Sequence, residues 1–338
     1  MNTKSETEAP SLAATTTPSP PTLATMLPLV TIEGPHADEP RLTRRGVLQA
    51  KLNFKKERED TFSETRGLPP SPEKSALYKR VQACVDEESD LETCLQERFV
   101  PQHSPTQFLS PRAFFVSPLF RVCSKAQPRA IHLEMELPGV PGRPPLRYSG
   151  PELRQPDGRV FLALVHMLRD VQVGTNVRFQ PDQVCQALFH RYDGNSRNLL
   201  RSQIQRLQHG VVISTHFSVQ LCLGFDYPRL GGWTVALDPK IVQLFRISPE
   251  VWFPMQPRLQ LGDGLATWLY AFVESQTRLI PMRITRLREL CGSDSGERAF
   301  TNSLRLALQR VADTGLIDTG WSLRRGEVRW LKPARQST

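Results

Sequence analysis

Apolar residues recur at helical spacing through Phe300, Leu304, Ala307, Leu308 and Val311, which predicts one helix with a single buried stripe. Arg298, Thr301, Asn302, Arg305 and Gln309 fall between the stripe positions and project from the other side. The turn Cys291-Gly292-Ser293-Asp294-Ser295 opens this segment and Gly315 closes it. Just before it, Ile284 to Leu290 makes a short amphipathic helix, so the pair has helix-turn-helix spacing. Just after it, Leu316 to Thr319 and Glu327 to Leu331 read as two strands around a turn at Arg324-Arg325-Gly326.

The same order occurs upstream. Asp157-Gly158 precedes a helix with Val160, Phe161, Leu164, Val165 and Leu168 on one face, and Asn176 to Phe179 alternates as a short strand. Helices follow from Pro181 to His190 and from Ser196 to His209, then a hairpin of Gly210 to Ser214 with Val219 to Leu223. Trp233 to Leu237 gives a further strand, and Asp238-Pro239 starts a helix ending near Phe245. Ala130 to Glu136 alternates as an earlier strand that pairs with Leu146 to Gly150. In the second copy Leu265, Trp268, Leu269, Phe272 and Val273 mark the first helix, and Leu279 to Met282 the short strand. Gly158 against Gly264, Asn176 to Phe179 against Leu279 to Met282, and Gly210-Val211 against Gly315-Leu316 define an internal repeat of pattern.

The N-terminal third reads differently. Residues 1–70 are rich in Thr, Ser, Pro and Glu and bury too little apolar area to offset chain entropy, so this tail is expected to stay unfolded. The basic stretch Lys51 to Arg58 within it reads as solvated charge or as extra, sequence-independent attraction to DNA. Ser71-Pro72-Glu73 starts a long helix carrying Leu77, Val81, Cys84, Val85, Leu91, Leu95 and Phe99. A proline-broken connector with Phe108, Phe114 and Phe115 follows and is expected to lie against a folded body. The fold class is therefore α+β. Two tandem winged-helix domains, 120–248 and 249–333, follow a disordered tail (1–70) and a helix with connector (71–119).

Charge narrows the partner. A net charge of +9 and a pI near 9.5 favour a polyanion. No run of 18 apolar residues and no apolar N-terminal core argue for a membrane, so the expected location is the cytosol. Cys84, Cys94, Cys123, Cys185, Cys222 and Cys291 are scattered without C-x-x-C and read as buried, reduced thiols. The histidines show no ligand spacing, so no metal is expected. There is no G-x-x-x-x-G-K-[ST], so no nucleotide cofactor is expected, and no tyrosine has a histidine cluster beside it for nicking chemistry.

An exposed Arg/Asn/Thr face on the second helix of such a pair suits base reading. Arg298, Asn302 and Arg305 are the candidate base contacts, arginine to guanine and asparagine to adenine. Ser293, Ser295 and Thr301 are candidates for phosphates at the helix N-terminus, and Arg324, Arg325 and Arg329 for the backbone or minor groove. The first copy offers a weaker face, Arg197, Asn198, Arg201, Gln205 and Arg206, and reads equally as a packing or dimerisation unit. The plain alternative for both is an αα-hairpin on a β-ribbon with solvated arginines. A transcriptional regulator is the rival function for the same modules.

Three segments carry a family resemblance over about Phe120 to Lys332. Tyr148-Ser149-Gly150-Pro151-Glu152-Leu153-Arg154, Arg206-Leu207-Gln208 and Cys291-Gly292-Ser293-Asp294-Ser295, with the register through Val311 to Gly315-Leu316, resemble the TrfA-type plasmid replication initiators. The resemblance implies a non-enzymatic protein without cofactor that binds direct repeats (iterons) in a plasmid origin in the bacterial cytoplasm. It implies melting of an adjacent A·T-rich segment, recruitment of the host helicase and initiator, and a homodimer as an alternative state. The chain departs from the family at Gly296-Glu297-Arg298-Ala299, which is less lysine-rich, so its repeat differs. The family's sliding-clamp peptide corresponds here to Gln96-Glu97-Arg98-Phe99-Val100, which keeps Gln96 and Phe99 but places charge where an aliphatic residue belongs. Phe99 reads equally as the last apolar residue of the preceding helix.

Overall fold

The computed structural model of the chain describes residues 31–33, 100–101, 103–124, 126–137, 145–171 and 175–332. The helix expected from Ser71 and the clamp reading at Gln96 and Phe99 lie outside the described residues. So does the tail, except Thr31–Glu33, which form strand β1 on the open edge of β7 (Asn176–Phe179), Ile32 opposite Val177. An edge strand offers unpaired backbone groups for such a ladder.

The connector is the middle of the molecule. Strand β2 (Gln107–Pro111) pairs antiparallel with β12 (Glu250–Pro254), placing Phe108 opposite Phe253, and both rings are fully buried. A single 3-10 turn, Arg112–Phe114, and then β3 (Phe120–Arg121) continue it, with β3 lying parallel to β6 (Leu153–Arg154). Phe114, Phe120 and Phe161 form a ring cluster with centroids 5.5 to 6.0 Å apart, so this segment welds both repeats into one core.

In the first repeat, β4 (Ile131–Leu137) pairs with β5 (Leu146–Pro151) as the alternation predicts. Helix α1 (Gln155–Met167) begins before the expected Asp157-Gly158. Pro156 suits the first turn, and the Asp157 carboxylate accepts from the Arg154 backbone N–H at 2.8 Å, which makes Asp157 part of the cap rather than the residue before it. After β7 come α2 (Pro181–Phe189) and α3 (Gly194–Gln208), the latter capped by Asp193, whose side chain accepts from Ser196 N.

Two hairpins then follow, and their roles differ from the sequence expectation. β8 (Val211–Ile213) and β9 (Ser218–Gln220) join β5, giving the sheet β4-β5-β8-β9. It is the hairpin of β10 (Gly224–Asp226) and β11 (Trp233–Ala236) that joins β7, through β11, with Val235 opposite Val177. Tertiary burial decides between them: Val212 and Val219 are buried with Tyr148 in the sheet of β5, while Trp233 and Val235 are buried with Val177 in the sheet of β7. Helix α4 (Ile241–Ile247) leads to β12.

The second repeat comprises α5 (Met255–Gln260), α6 (Leu265–Glu274), β13 (Met282–Arg283), α7 (Ile284–Leu290), α8 (Glu297–Asp313), β14 (Ser322–Arg324) and β15 (Glu327–Arg329). Its sheet order, β13-β15-β14, reproduces β7-β11-β10, so the repeat inferred from pattern holds once β10–β11 replaces β8–β9 as the counterpart. The strand expected at Leu316 to Thr319 is a bend in which Asp318 Oδ1 accepts from Gly320 N, while Asp318 N donates to Leu331 O. The hairpin instead closes through Arg325 and Gly326, both at positive φ (52° and 75°), the two-residue turn that matches strand twist. The strand expected at Leu279 to Met282 is displaced to Met282–Arg283; Ile280 is exposed, and its carbonyl accepts from Trp330 Nε1 at 2.9 Å.

One buried histidine ties the connector to α1. His166 meets the Gln107 carbonyl through Nδ1 at 3.1 Å and the Arg169 guanidinium through Nε2 at 2.8 Å, a pattern only the neutral ring with its proton on Nδ1 satisfies. Burial, then the Arg169 cation, push this ring from 6.5 down to about 3. Burial also lowers the neighbouring His103. Because the folded pKa lies below the unfolded one, the stability of this site is fully present above about pH 6.5 and is lost as pH falls toward 3. The slope reaches about 1.4 kcal/mol per pH unit for one proton. Urea midpoints at pH 7 and pH 5 are expected to fall with acid for the parent and to fall less for His166→Gln. Equal acid sensitivity of the two would remove this role.

Four cysteines are described, Cys123, Cys185, Cys222 and Cys291, and all are free thiols. Among the described residues no helix is long and apolar enough to cross a membrane.

Candidate nucleic-acid interface

The second repeat places an unobstructed polar face on α8. Phe300, Leu304, Ala307, Leu308 and Val311 are buried, so the register read from sequence leaves Arg298, Asn302, Arg305 and Gln309 exposed. Arg305 Nη1 lies 3.4 Å from Asn302 Oδ1, which holds two of the candidate base-reading groups side by side. Thr301 is half-buried and its hydroxyl donates to the Glu297 carbonyl at 2.8 Å, so it has a local bond to break before it serves a phosphate. Gly296 precedes the helix and supplies no side-chain cap, which leaves first-turn N–H groups pointing away from the helix. Ser293 and Ser295 lie in the entering turn, their hydroxyls 2.8 Å apart.

The three-stranded sheet of the same repeat carries a second basic surface. Cross-strand partners share a face, so Arg283, Glu327, Arg324, Ser322 and Arg329 line one side, and Met282, Val328 and Leu323 pack on the other. Arg324, Arg325 and Arg329 are exposed, as expected for a basic-tipped hairpin.

The turn entering α8 is held from the first repeat. Arg121 donates through Nε to the Gly292 carbonyl (3.0 Å), through Nη1 to Glu152 (2.8 Å) and through Nη2 to Asp294 (2.5 Å). Gly292 sits at φ 64°, and a Cβ there would come within 2.9 Å of Arg121 Cγ and Pro118 Cβ. Only glycine fits that approach. Val122 N adds a backbone bond to the Cys291 carbonyl at 2.9 Å. Orientation of α8 is thus set by the connector and not by its own repeat alone.

Glu152 belongs to the segment Tyr148 to Arg154, and the structure gives that segment a positioning role. Tyr148 donates its hydroxyl proton to the Pro151 carbonyl (2.7 Å), and Arg154 pairs with Glu152 (2.6 Å) while reaching the carbonyls of Ser124 and Gln127. Arginine neighbours outweigh burial at Glu152 and hold its carboxyl below the usual range.

The first repeat differs at the corresponding helix. Arg197 donates to the carbonyls of Pro228 and Arg229 and stacks 5.4 Å from the Trp233 ring centroid. Arg201 lies 4.3 Å over Tyr227, and Gln205 Nε2 donates to the Tyr227 hydroxyl at 3.2 Å. Arg206 is bound to Asp157 at 2.8 Å and braces α1 against α3. Asn198 is exposed. The β10–β11 hairpin therefore leans on three of the expected reading side chains, a tertiary contact with no local sequence signal.

No family model and no curated protein matches the chain. Two crystal structures of domains 2 and 3 of RctB are similar to it in fold. One covers 65% of this chain and 98% of that chain at 10% identity and a TM-score of 0.43; the other covers 63% and 95% at 12% identity and 0.44.

One residue of the α8 face escaped the sequence reading. Leu306 is 69% exposed, one turn beyond Asn302 and adjacent to Arg305. Its place next to Arg305, outside the buried stripe, was the available signal.

Proposed function

We propose that the chain is a sequence-specific reader of double-stranded DNA built from two winged-helix units, acting as a plasmid-type replication initiator on an array of direct repeats. The observation that carries this reading is the α8 face: Arg298, Asn302 and Arg305 are exposed on the side away from the buried stripe, and the same repeat carries an exposed Arg324-Arg325 hairpin tip. In the proposed complex α8 enters a major groove, the β14–β15 hairpin lies on the backbone or in the adjoining minor groove, and the first unit engages the next turn, about 10 bp away. The continuous core and the Arg121 bridge support a fixed spacing between the two contacts.

No bond-making chemistry is part of the proposal. Binding energy at several repeats deforms the duplex, and pyrimidine–purine steps in an A·T-rich tract unstack at the lowest cost. Host helicase and initiator then meet the opened strands. Supercoiled DNA carrying the sequence that flanks the gene tests this. The chain alone should make thymines of an adjacent A·T-rich tract reactive to permanganate, with no nick in the presence of Mg²⁺. Binding without opening would reduce the protein to a regulator, and nicking would make it an enzyme.

The hairpin contact has its own signature. Arg324→Ala is expected to weaken all duplexes about equally and to lower the slope of log K against log salt by about 1. Titrations at several salt concentrations check this, and an unchanged slope would place Arg324 away from phosphate.

A further inference from the structure

We propose that Leu230, at the tip of the β10–β11 hairpin, is a wedge that enters the minor groove of duplex DNA and partly unstacks one base step. The inference rests on the DNA-reading function proposed above and assigns to the first unit a task that its helix face does not show. Leu230 is 90% exposed, more than any other large apolar side chain described. A lone exposed leucine is ordinary on a protein surface. Its setting is what points to a polyanion.

Arg229 precedes it and is exposed, and the Arg197 guanidinium is fixed at the loop by the carbonyls of Pro228 and Arg229. The Arg178 side chain runs along the other side, with Nη2 3.7 Å from where a Cβ of Gly231 would sit and Nε 3.1 Å from that of Gly232. Arg178, Arg197 and Arg229 thus lie in or against the loop that carries one apolar tip. A protein partner would be expected to match that apolar tip with apolar surface, whereas a narrow groove walled by phosphates and floored by stacked bases matches both parts.

The attachment of the loop gives the direction. Arg197 lies in the first turn of α3, so the tip stands beside the end of that helix which in such units faces the major groove. A hairpin at that place crosses one phosphate ridge to the neighbouring minor groove. Tyr227, held by Arg201 and Gln205, braces the base of the loop against sideways motion. The second hairpin ends in Arg325-Gly326 and has no apolar tip, so the two hairpins divide the work, one gripping phosphate and one prying.

The test uses the full chain and a short duplex selected by the parent from a randomised pool, labelled at its ends with a donor and an acceptor. The parent should raise energy transfer by bending the duplex, and 2-aminopurine at the kinked step should brighten. Leu230→Ala and Leu230→Ser should still bind but lose both signals, while Leu230→Phe should keep them. Because the side chain is exposed, these changes leave the fold intact. Binding with an unbent duplex by the parent, or equal bends by parent and Leu230→Ala, overturns the wedge and leaves DNA reading standing. Failure of the parent to select any duplex overturns DNA reading itself, and the wedge with it.

Discussion

Asp157→Ala is expected to lower the unfolding free energy by about 3 to 5 kcal/mol, the range for removing one member of a buried ion-paired group. Asp157 is fully buried. Its carboxylate accepts from Arg129 Nη1 (2.8 Å), Arg206 Nε (2.9 Å) and the Arg154 backbone N–H (2.8 Å). Alanine therefore removes the α1 cap and leaves two cations without their counterion. The arginine side chains are 29% and 20% exposed, so both regain some water and the loss belongs at the lower end of the range. Asp157→Asn keeps an acceptor for the cap but not the charge, and should cost about 1 to 3 kcal/mol. Urea titration at neutral pH measures both. A loss below about 1 kcal/mol for alanine would mean that the Asp157 cluster contributes nothing net.

Arg298→Ala combined with Arg305→Ala should remove sequence preference while leaving general affinity for DNA. Each bidentate arginine–guanine contact is worth about 1 to 3 kcal/mol of discrimination. The two side chains flank Asn302 on one helix face, and their effects are not expected to add fully. A loss of about 2 to 4 kcal/mol, on the order of 30- to 1000-fold in affinity for the selected duplex, is the expected result. Affinity for scrambled duplex should drop far less. Neither arginine packs into the core, so the fold should be unaffected. A uniform loss on both duplexes would make these arginines phosphate contacts.

The parts of this architecture that were legible in the sequence are those specified locally. Helices α7 and α8 announce themselves through apolar spacing and through Gly292 and Gly315, and the exposed face of α8 follows from that spacing alone. Which hairpin pairs with β7 was not legible. Val211 to Gln220 and Gly224 to Ala236 carry the same alternation, and the choice rests on distant partners, Tyr148 for one and Val177 for the other. Strand β2 was hidden for a related reason. Gln107-Phe108-Leu109-Ser110-Pro111 does not alternate because Phe108, Leu109 and Ser110 are all buried between the repeats. The packing of the first unit's weaker face was not legible, since Tyr227 to Arg229 reach Arg197, Arg201 and Gln205 only through the tertiary fold. The Arg121 bridge spans 173 positions to Asp294 and leaves no trace in any window of sequence.

Hydroxyl-radical footprinting of the full chain on the DNA flanking its gene tests the central claim most directly. The account predicts a ladder of evenly spaced protected segments. Within each, protection falls on one side of the duplex over successive grooves, and it disappears for the Arg298/Arg305 double variant. Uniform protection without a repeating pattern, or a pattern that survives the double variant, would contradict it.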